Sequence, residues 1–344
     1  MRALQLQAEQ DVRIVEMDPP PPPGDGEVQI RIAVVALNHI DVWGWRGMAF
    51  ARRKLPIVVG VEAAGEIVAT GRGVDGLQTG QLVVLYGAET CNACAACRAG
   101  EDNLCENVGG IHGFHIDGFA QELVNMPARF VVPVPDGLDV VSAACAPVTF
   151  GTVEHMLFDN AKLKQGETVL VQAGGSGIGT AAIQMAKAVG AHVITTVGSD
   201  EKARRALELG ADHAINYREE RFEGVVRKLT NKKGVDVVFE HVGADTWAGS
   251  LLCLRKGGRL VTCGSTTGVS AETNLFQLFQ QQLRLIGSFG CSMRNIADVL
   301  DKLAQGTMRP VIDTLLPLDD LETGLKRLRD RQVFGKFLLT LQDS

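Results

Sequence analysis

The sequence predicts a two-part α/β protein: a β-rich, partly open barrel followed by a doubly wound parallel sheet. Three observations carry this. Residues 1 to about 148 read as many short strands broken by glycine turns. From about 149 onward, strand and helix patterns alternate, the order that builds a parallel sheet with helices on both faces. Near the head of that second region stands TVLVQAGGSGIGTAAIQMAKAVGA, a strand, a glycine-rich turn and a helix in immediate succession.

In chain order, MRALQLQAEQDVRIVE alternates like a strand. Pro19 to Pro23 with Gly24 forms a stiff connector without backbone donors, unfit for a sheet interior. Val28 to Ala36, Gln81 to Tyr86 and Phe130 to Val134 read as strands, and Gly60 to Ala69 as a sharply bent barrel segment with glycines near its start. In the second region the strands are 168–172, 192–197, 213–215, 235–239, 258–263 and 283–288. The helices between them end at 189 or span 200–209, 219–230 and 245–255. Helices near Asn295 to Gln305 and Leu318 to Arg329 and a strand Gly335 to Leu341 close the chain. The boundaries expected from this are 1–148, 149–289 and a returning segment 290–344.

With 344 residues the chain is long enough for two cores. A hydrophobic share of 46% against 22% charged residues is that of a soluble globular protein. Net charge is −6, which excludes the electrostatic footprint of a nucleic-acid or anionic-membrane binder. No apolar run approaches the roughly 20 residues of a bilayer span, and the N-terminus lacks the apolar core of a signal peptide. The expected compartment is the cytoplasm. In that reducing setting Cys145, Cys253, Cys263 and Cys291, scattered among apolar neighbours, are buried small hydrophobes.

The glycine turn has a chemical reading. Gly174, Gly175, Ser176, Gly177 and Ile178 lie where a strand feeds a helix whose apolar face is Ala182, Met185, Ala186 and Val189. Backbone N–H groups at a helix start have no intrahelical partner, and with the helix dipole they suit a pyrophosphate. The usual spacing would put glycines at 174, 176 and 179; Ser176 takes the middle place, with Gly175 and Gly177 beside it. A ligand-free strand–helix turn needs glycine too, but the β/α alternation that follows favours nucleotide.

CNACAACRAGEDNLC spaces four cysteines as Cys-x2-Cys-x2-Cys-x7-Cys: Cys91, Cys94, Cys97 and Cys105. Four thiolates on one tight loop can wrap a tetrahedral Zn²⁺ and leave no open position, so the metal is a staple for the lobe at about 88–108. A [4Fe–4S] cluster or disulfides are the alternatives; no other redox-cluster or secretory signal accompanies them.

Together the two signatures resemble the zinc-containing medium-chain dehydrogenase/reductases, the superfamily of alcohol dehydrogenases and quinone oxidoreductases. The resemblance covers nearly the whole chain, through PPPGDGEVQIRI, GVEAAGEIVATG, GFAQELV, VPDGLDVVSAACAPVTFGTVEHML and FGKFLLTL. It implies a GroES-like catalytic domain, a Rossmann cofactor domain and a homodimer or homotetramer joined at Rossmann sheet edges. The matching edge here is ETNLFQLFQQQLRLIGSF.

Alcohol dehydrogenases of the family hold a catalytic zinc with two cysteines and a histidine. The matching positions are Asn38, Val61 and Val148, so all three ligands are missing. Zinc polarises a carbonyl and stabilises an alkoxide; without it a site needs hydrogen-bond donors and a substrate that takes hydride more readily. Quinones and α,β-unsaturated carbonyls are such substrates, and the zinc-free reductases of the family share Asn38-x-x-Asp41. The resemblance thus implies catalytic roles for Asn38, which would orient or hydrogen-bond the substrate oxygen, for Asp41, which would shape the pocket, and for Thr152. A rebuilt metal site from Asp41, Glu62 and nearby histidines is the minority reading, because the spacing offers no recognisable ligand set. His39 matches a family position that contacts the cofactor pyrophosphate, which leaves cofactor contact and acid catalysis open; His112 and His115 divide between loop structure and substrate contact, and His155 reads as a packed helix residue. Trp43, Trp45, Met48, Phe50 and Phe114 either line an apolar cleft or pack under loops.

The acid that grips the ribose hydroxyls in NAD-specific folds is missing after His192 to Val197, where Gly198 and Ser199 follow, and Asp200 comes too late. Ser199, Lys202 and Tyr217, with Arg218, match positions that hold a 2′-phosphate in NADP-dependent relatives, so NADP(H) is expected over NAD(H). Thr152, Val242, Gly264 and Phe289 match positions around the nicotinamide, and Lys336 one near the pyrophosphate. The expected function is NADP(H)-dependent reduction of quinones or activated carbonyl substrates, with one structural Zn²⁺ per subunit. A zinc-type alcohol dehydrogenase and a non-catalytic NADPH-binding protein are the alternatives.

Overall fold

A computed structural model describes residues 1–47 and 53–341 and divides the chain into two compact units. One is Met1–Gly151 with Cys291–Ser344; the other is Thr152–Gly290. Met48 and Phe50 lie outside the described residues.

In the first unit, the N-terminal stretch that alternates like one strand is a hairpin. Strands β1 (Arg2–Ala8) and β2 (Asp11–Glu16) pair antiparallel about a turn in which Gln10 takes φ +61°. β3 (Glu27–Ala36) is the spine of the larger sheet, its buried run Ile32 to Ala36 matching the apolar end of the sequence pattern. β4 (Ile57–Val58) joins the hairpin sheet, while β5 (Ala63–Thr70) lies against β3 along seven residue pairs. A Cβ on Gly65 would strike the Arg31 carbonyl, so glycine sets how closely β5 approaches. β6 (Leu82–Leu85), β7 (Leu123–Pro127) and β8 (Val131–Pro133) extend the sheet. The helix His39–Arg46 leaves β3 through Asn38, an element the alternation of the sequence does not announce.

The second unit is one six-stranded parallel sheet. Its strands are β9 (Thr168–Val171), β10 (His192–Val197), β11 (His213–Asn216), β12 (Val235–Glu240), β13 (Leu254–Thr262) and β14 (Arg284–Gly287). They lie in the order β11-β10-β9-β12-β13-β14. Counted from its first strand, this is 3-2-1-4-5-6, the doubly wound order with its switch point between the first and fourth strands. Leu170, Ile194, Val238 and Leu260 stack across the sheet interior, with Leu251 and Val226 from covering helices. Each expected strand is present, although β13 begins four residues early and the helix expected at 219–230 is Phe222–Leu229. A short helix, Leu275–Gln280, interrupts the stretch expected as plain sheet edge.

The chain then returns to the first unit through the helix Met293–Ala304. Strands β15 (Ile312–Pro317) and β16 (Lys336–Thr340) complete the large sheet, β16 pairing with β3. One helical stretch, Val140–Asn160, is long and apolar enough to cross a bilayer by length and composition alone. With 72% of its apolar window buried, it has the burial of a core helix.

Candidate active site and metal lobe

The cysteine lobe closes on itself. The Sγ atoms of Cys91, Cys94, Cys97 and Cys105 all lie within 4.8 Å of one another, with Cys91 and Cys97 4.0 Å apart. A tetrahedral zinc with sulfur ligands at about 2.3 Å requires S···S separations of about 3.8 Å, so the cluster fits the ion with little adjustment. Backbone N–H groups of Ala93 and Cys94 point at Cys91 Sγ, that of Cys97 at Cys94, and those of Cys91 and Asn107 at Cys105. Such donors stabilise thiolates; those on Cys91 bring its thiol down to about 6. Among the described residues this is the one cluster of His, Cys, Asp and Glu with ligand geometry.

The residues at the missing-ligand positions surround a buried acid. Glu62 has 0% exposure and five donors. Its Oε1 accepts from the N–H groups of Val148 and Thr149, both at 2.7 Å. Its Oε2 accepts from Asn38 Nδ2 at 2.8 Å, Thr149 Oγ1 at 2.9 Å and Lys336 Nζ at 2.9 Å. A carboxylate so occupied has no lone pair left for an ion. The rebuilt metal site that sequence allows as a minority reading is therefore not supported: Val61 and Val148 offer no ligand atom, and Glu62 is saturated.

Two expected roles change in this network. Both N–H groups of Asn38 Nδ2 are engaged, one by Glu62 and one by the Ala36 carbonyl at 3.0 Å, and its Oδ1 accepts from Lys336 at 2.8 Å. Asn38 therefore holds no free donor for a substrate oxygen. Lys336, expected near a pyrophosphate, directs its three N–H groups to Leu37 O, Asn38 Oδ1 and Glu62 Oε2. Its partners are a carboxylate and two neutral oxygens of its own unit.

Asp41, third in its helix, accepts the Asn38 N–H through Oδ2 at 2.8 Å, while Oδ1 is buried without a partner. Burial pushes its carboxyl up to about 7 against the pull of the Asn38 N–H and the Lys336 charge. Trp45 and Phe114 are buried in the first unit, so they pack rather than line an open surface, and Trp43 is half-buried. His112 is also internal: Nδ1 lies 2.6 Å from the Asp117 carbonyl, the ring stacks on Phe119, and burial lowers its affinity for a proton. His155 pairs with Asp159 one helical turn on.

In the second unit the expected cofactor residues gather at the carboxyl ends of the strands. Ser176 caps the helix Gly177–Ala188, its Oγ accepting the Gly179 N–H at 3.0 Å. A Cβ on Gly179 would strike the Ala173 carbonyl, which holds the turn tight against the helix. Among the described residues no acceptor faces the N–H groups of Gly175, Gly177 and Ile178, a cradle with the donors a pyrophosphate needs. At the end of β10, Ser199 caps the next helix on the Lys202 N–H, and Tyr217 lies over Gly198. Asp200 accepts from Asn216 and starts that helix. Val242 and Gly264 follow β12 and β13, with Thr267 N bonded to the Val242 carbonyl. Thr152 is buried and Phe289 is exposed. Two buried polar residues carry no motif of their own: Gln172, just past β9, and Glu240, the last residue of β12, both with 0% exposure; their signal is a polar residue closing an apolar run.

Comparison with known proteins agrees with this architecture. Residues 24–136 match the alcohol dehydrogenase GroES-like domain and residues 177–305 the zinc-binding dehydrogenase family. The chain is 32% identical to an acryloyl-coenzyme A reductase of Metallosphaera sedula over 311 residues, 89% of each chain. It is 34% identical to a quinone oxidoreductase of Salmonella typhimurium over 72% of this chain and 67% of that one. A solved NAD-dependent alcohol dehydrogenase superposes with a TM-score of 0.94 at 37% identity, covering 99% of this chain and 100% of that one. Matches of this extent across both units place the chain in the medium-chain dehydrogenase/reductase family of nicotinamide-dependent oxidoreductases.

Proposed function

We propose that this oxidoreductase uses NADP(H) to reduce quinones or α,β-unsaturated carbonyl compounds, enoyl thioesters included, without a catalytic metal. The observation that carries the reading is the saturated Glu62: two of the missing-ligand positions, Asn38 and Val148, join it and the Lys336 ammonium in a closed hydrogen-bond network, and the third is a valine. Such a site lacks the Lewis acid that alkoxide chemistry uses. The relatives named for acryloyl-coenzyme A and for quinone reduction support the same class.

When bound, the nicotinamide supplies the hydride. The chain's own groups do the rest. The free N–H groups of Gly175, Gly177 and Ile178 bind the pyrophosphate beside Gly174 and Ser176. Ser199, Lys202 and Tyr217 receive the 2′-phosphate, and Asp200 is drawn away from it by Asn216. Thr152, Val242, Gly264 and Phe289 are the residues that would border the nicotinamide. Asn38 and Lys336 are positioning residues that hold the Glu62 network closed. Asp41, buried with its Oδ2 on the Asn38 N–H, would shape the pocket beside Asn38, the proton for the reduced product coming from water or a nearby histidine.

A second reading, NAD-dependent alcohol oxidation, draws on the solved structure of that name. One experiment separates them: initial rates with NADPH and NADH against a quinone, an enone and an enoyl-coenzyme A, and with NADP⁺ and NAD⁺ against simple alcohols. The proposal expects NADPH-driven turnover of at least one conjugated acceptor and alcohol rates at background. Rapid alcohol oxidation with NAD⁺ and none of those reductions would overturn it.

A further inference from the structure

Beneath the glycine turn lies a hydrogen-bond chain that runs in one direction. Glu240 Oε1 accepts from the N–H groups of Val242 and Gly243, and Oε2 from Thr246 Oγ1 and from Ser250 Oγ at 2.7 Å. With four donors aimed at it, the group is an acceptor only. Ser250 therefore gives its proton to Glu240 and accepts at 2.9 Å from Gln172 Nε2. That fixes the amide of Gln172, whose Oε1 must face Thr196 Oγ1 at 2.6 Å. The Thr196 hydroxyl proton is thereby committed, and its lone pair accepts the Ala173 N–H at 3.0 Å. Gln172, Ser250 and Glu240 have 0% exposure and Thr196 2%, so no solvent can reset the order.

The far end of the chain is the one residue of the glycine turn in a left-handed conformation that is not glycine: Ala173, at φ +48°. The near end holds Val242 and Gly243. His241 adds a second tie, donating from Nε2 to the Gln172 carbonyl at 2.8 Å, with Ser176 Oγ 3.5 Å away. Resting on the reading that this rim holds a nicotinamide dinucleotide, we propose that Glu240 is a positioning residue for the cofactor. Through Ser250, Gln172 and Thr196 it orders the Ala173 turn and the Val242 turn as one unit, although Glu240 and Ser250 are buried and need not touch the ligand.

The isosteric variant Glu240→Gln tests this. It places an amide donor against Ser250, which must then donate to Gln172. The Gln172 amide must flip, and the Thr196 hydroxyl loses its acceptor. Dinucleotide dissociation constants, measured by quenching of protein fluorescence, are expected to rise about tenfold, with kcat at saturating cofactor within about twofold of wild type. The swapped pair Gln172→Glu with Glu240→Gln moves the carboxylate to position 172, where it can accept from both Thr196 and Ser250, and is expected to recover most of the affinity. A role confined to packing would move the melting temperature without this rescue. Should Glu240→Gln not fold, Ser250→Ala, which removes one link, is expected to weaken binding at least threefold. Wild-type affinity in the folded Glu240→Gln protein, or in Ser250→Ala, overturns the proposal while leaving the cofactor reading intact; so does a swap that fails to rescue. Wild-type protein that binds neither NADPH nor NADH overturns both.

Discussion

Lys336 and Glu62 form an ion pair with 3% and 0% side-chain exposure, and its value lies in completeness. Lys336→Met leaves the Glu62 charge among neutral donors and is expected to cost about 3–5 kcal/mol in urea unfolding, the range for breaking a buried pair. Adding Glu62→Gln to that variant should recover part of the loss, because the uncompensated charge goes too. Asp41 is expected to shape the pH dependence. Its carboxyl rises from 3.8 to about 7 on folding, so below about pH 4 it is protonated in both states and opposes nothing. Between there and about 7 the unfolded chain ionises first, and stability falls as pH rises. Asp41→Asn should remove that slope and gain a few kcal/mol relative to wild type at pH 8, none at pH 3.5, read from denaturation midpoints across the range. At this scale sequence is only half legible. An acid alone in VVGVEAAG has to find a partner, but the lysine that answers it lies 274 residues away. Asn38 stands at the expected place with less freedom than expected, since one of its N–H groups and its Oδ1 are taken by that distant pair.

Elements whose partners are near in sequence are readable outright. The four cysteines fall within one short loop, so spacing alone forecasts a closed sulfur cage, and the Sγ cluster agrees. Metal analysis is expected to give one zinc per chain, and Cys97→Ser to lower both zinc content and the melting temperature, because the lobe has little core of its own. Two zincs per chain would contradict the saturated Glu62. The six parallel strands are readable for a related reason: each is a short apolar run bounded by its own turn. The hairpin of β1 and β2 is not, because its turn at Gln10 contains no glycine. Nor is the helix Leu275–Gln280, whose Leu-Phe-Gln pattern fits strand or helix equally at that length.

That short helix matters most for the molecule as a whole. A protein that keeps apolar groups inside should not leave them crowded at a sheet edge, yet Leu275, Phe276 and Phe279 are 68%, 60% and 66% exposed. The two phenylalanine rings meet edge-on, 5.2 Å between centroids, and the chain runs from them directly into β14. β14 is the last strand of its sheet, paired with β13 on one side and with nothing on the other among the described residues. An unpaired strand beside an apolar helix invites association, and two copies meeting about a twofold axis would cover both features with the same surface. A homodimer formed through β14 is therefore the expected state, as a unit or as half of a tetramer. Phe276→Glu with Phe279→Glu places four like charges at such a contact and should shift the protein to monomer in sedimentation. Its melting temperature should then lose its dependence on protein concentration, as linkage between folding and association requires. If wild type already sediments as a monomer at micromolar concentration, the edge is covered some other way and the dimer reading fails.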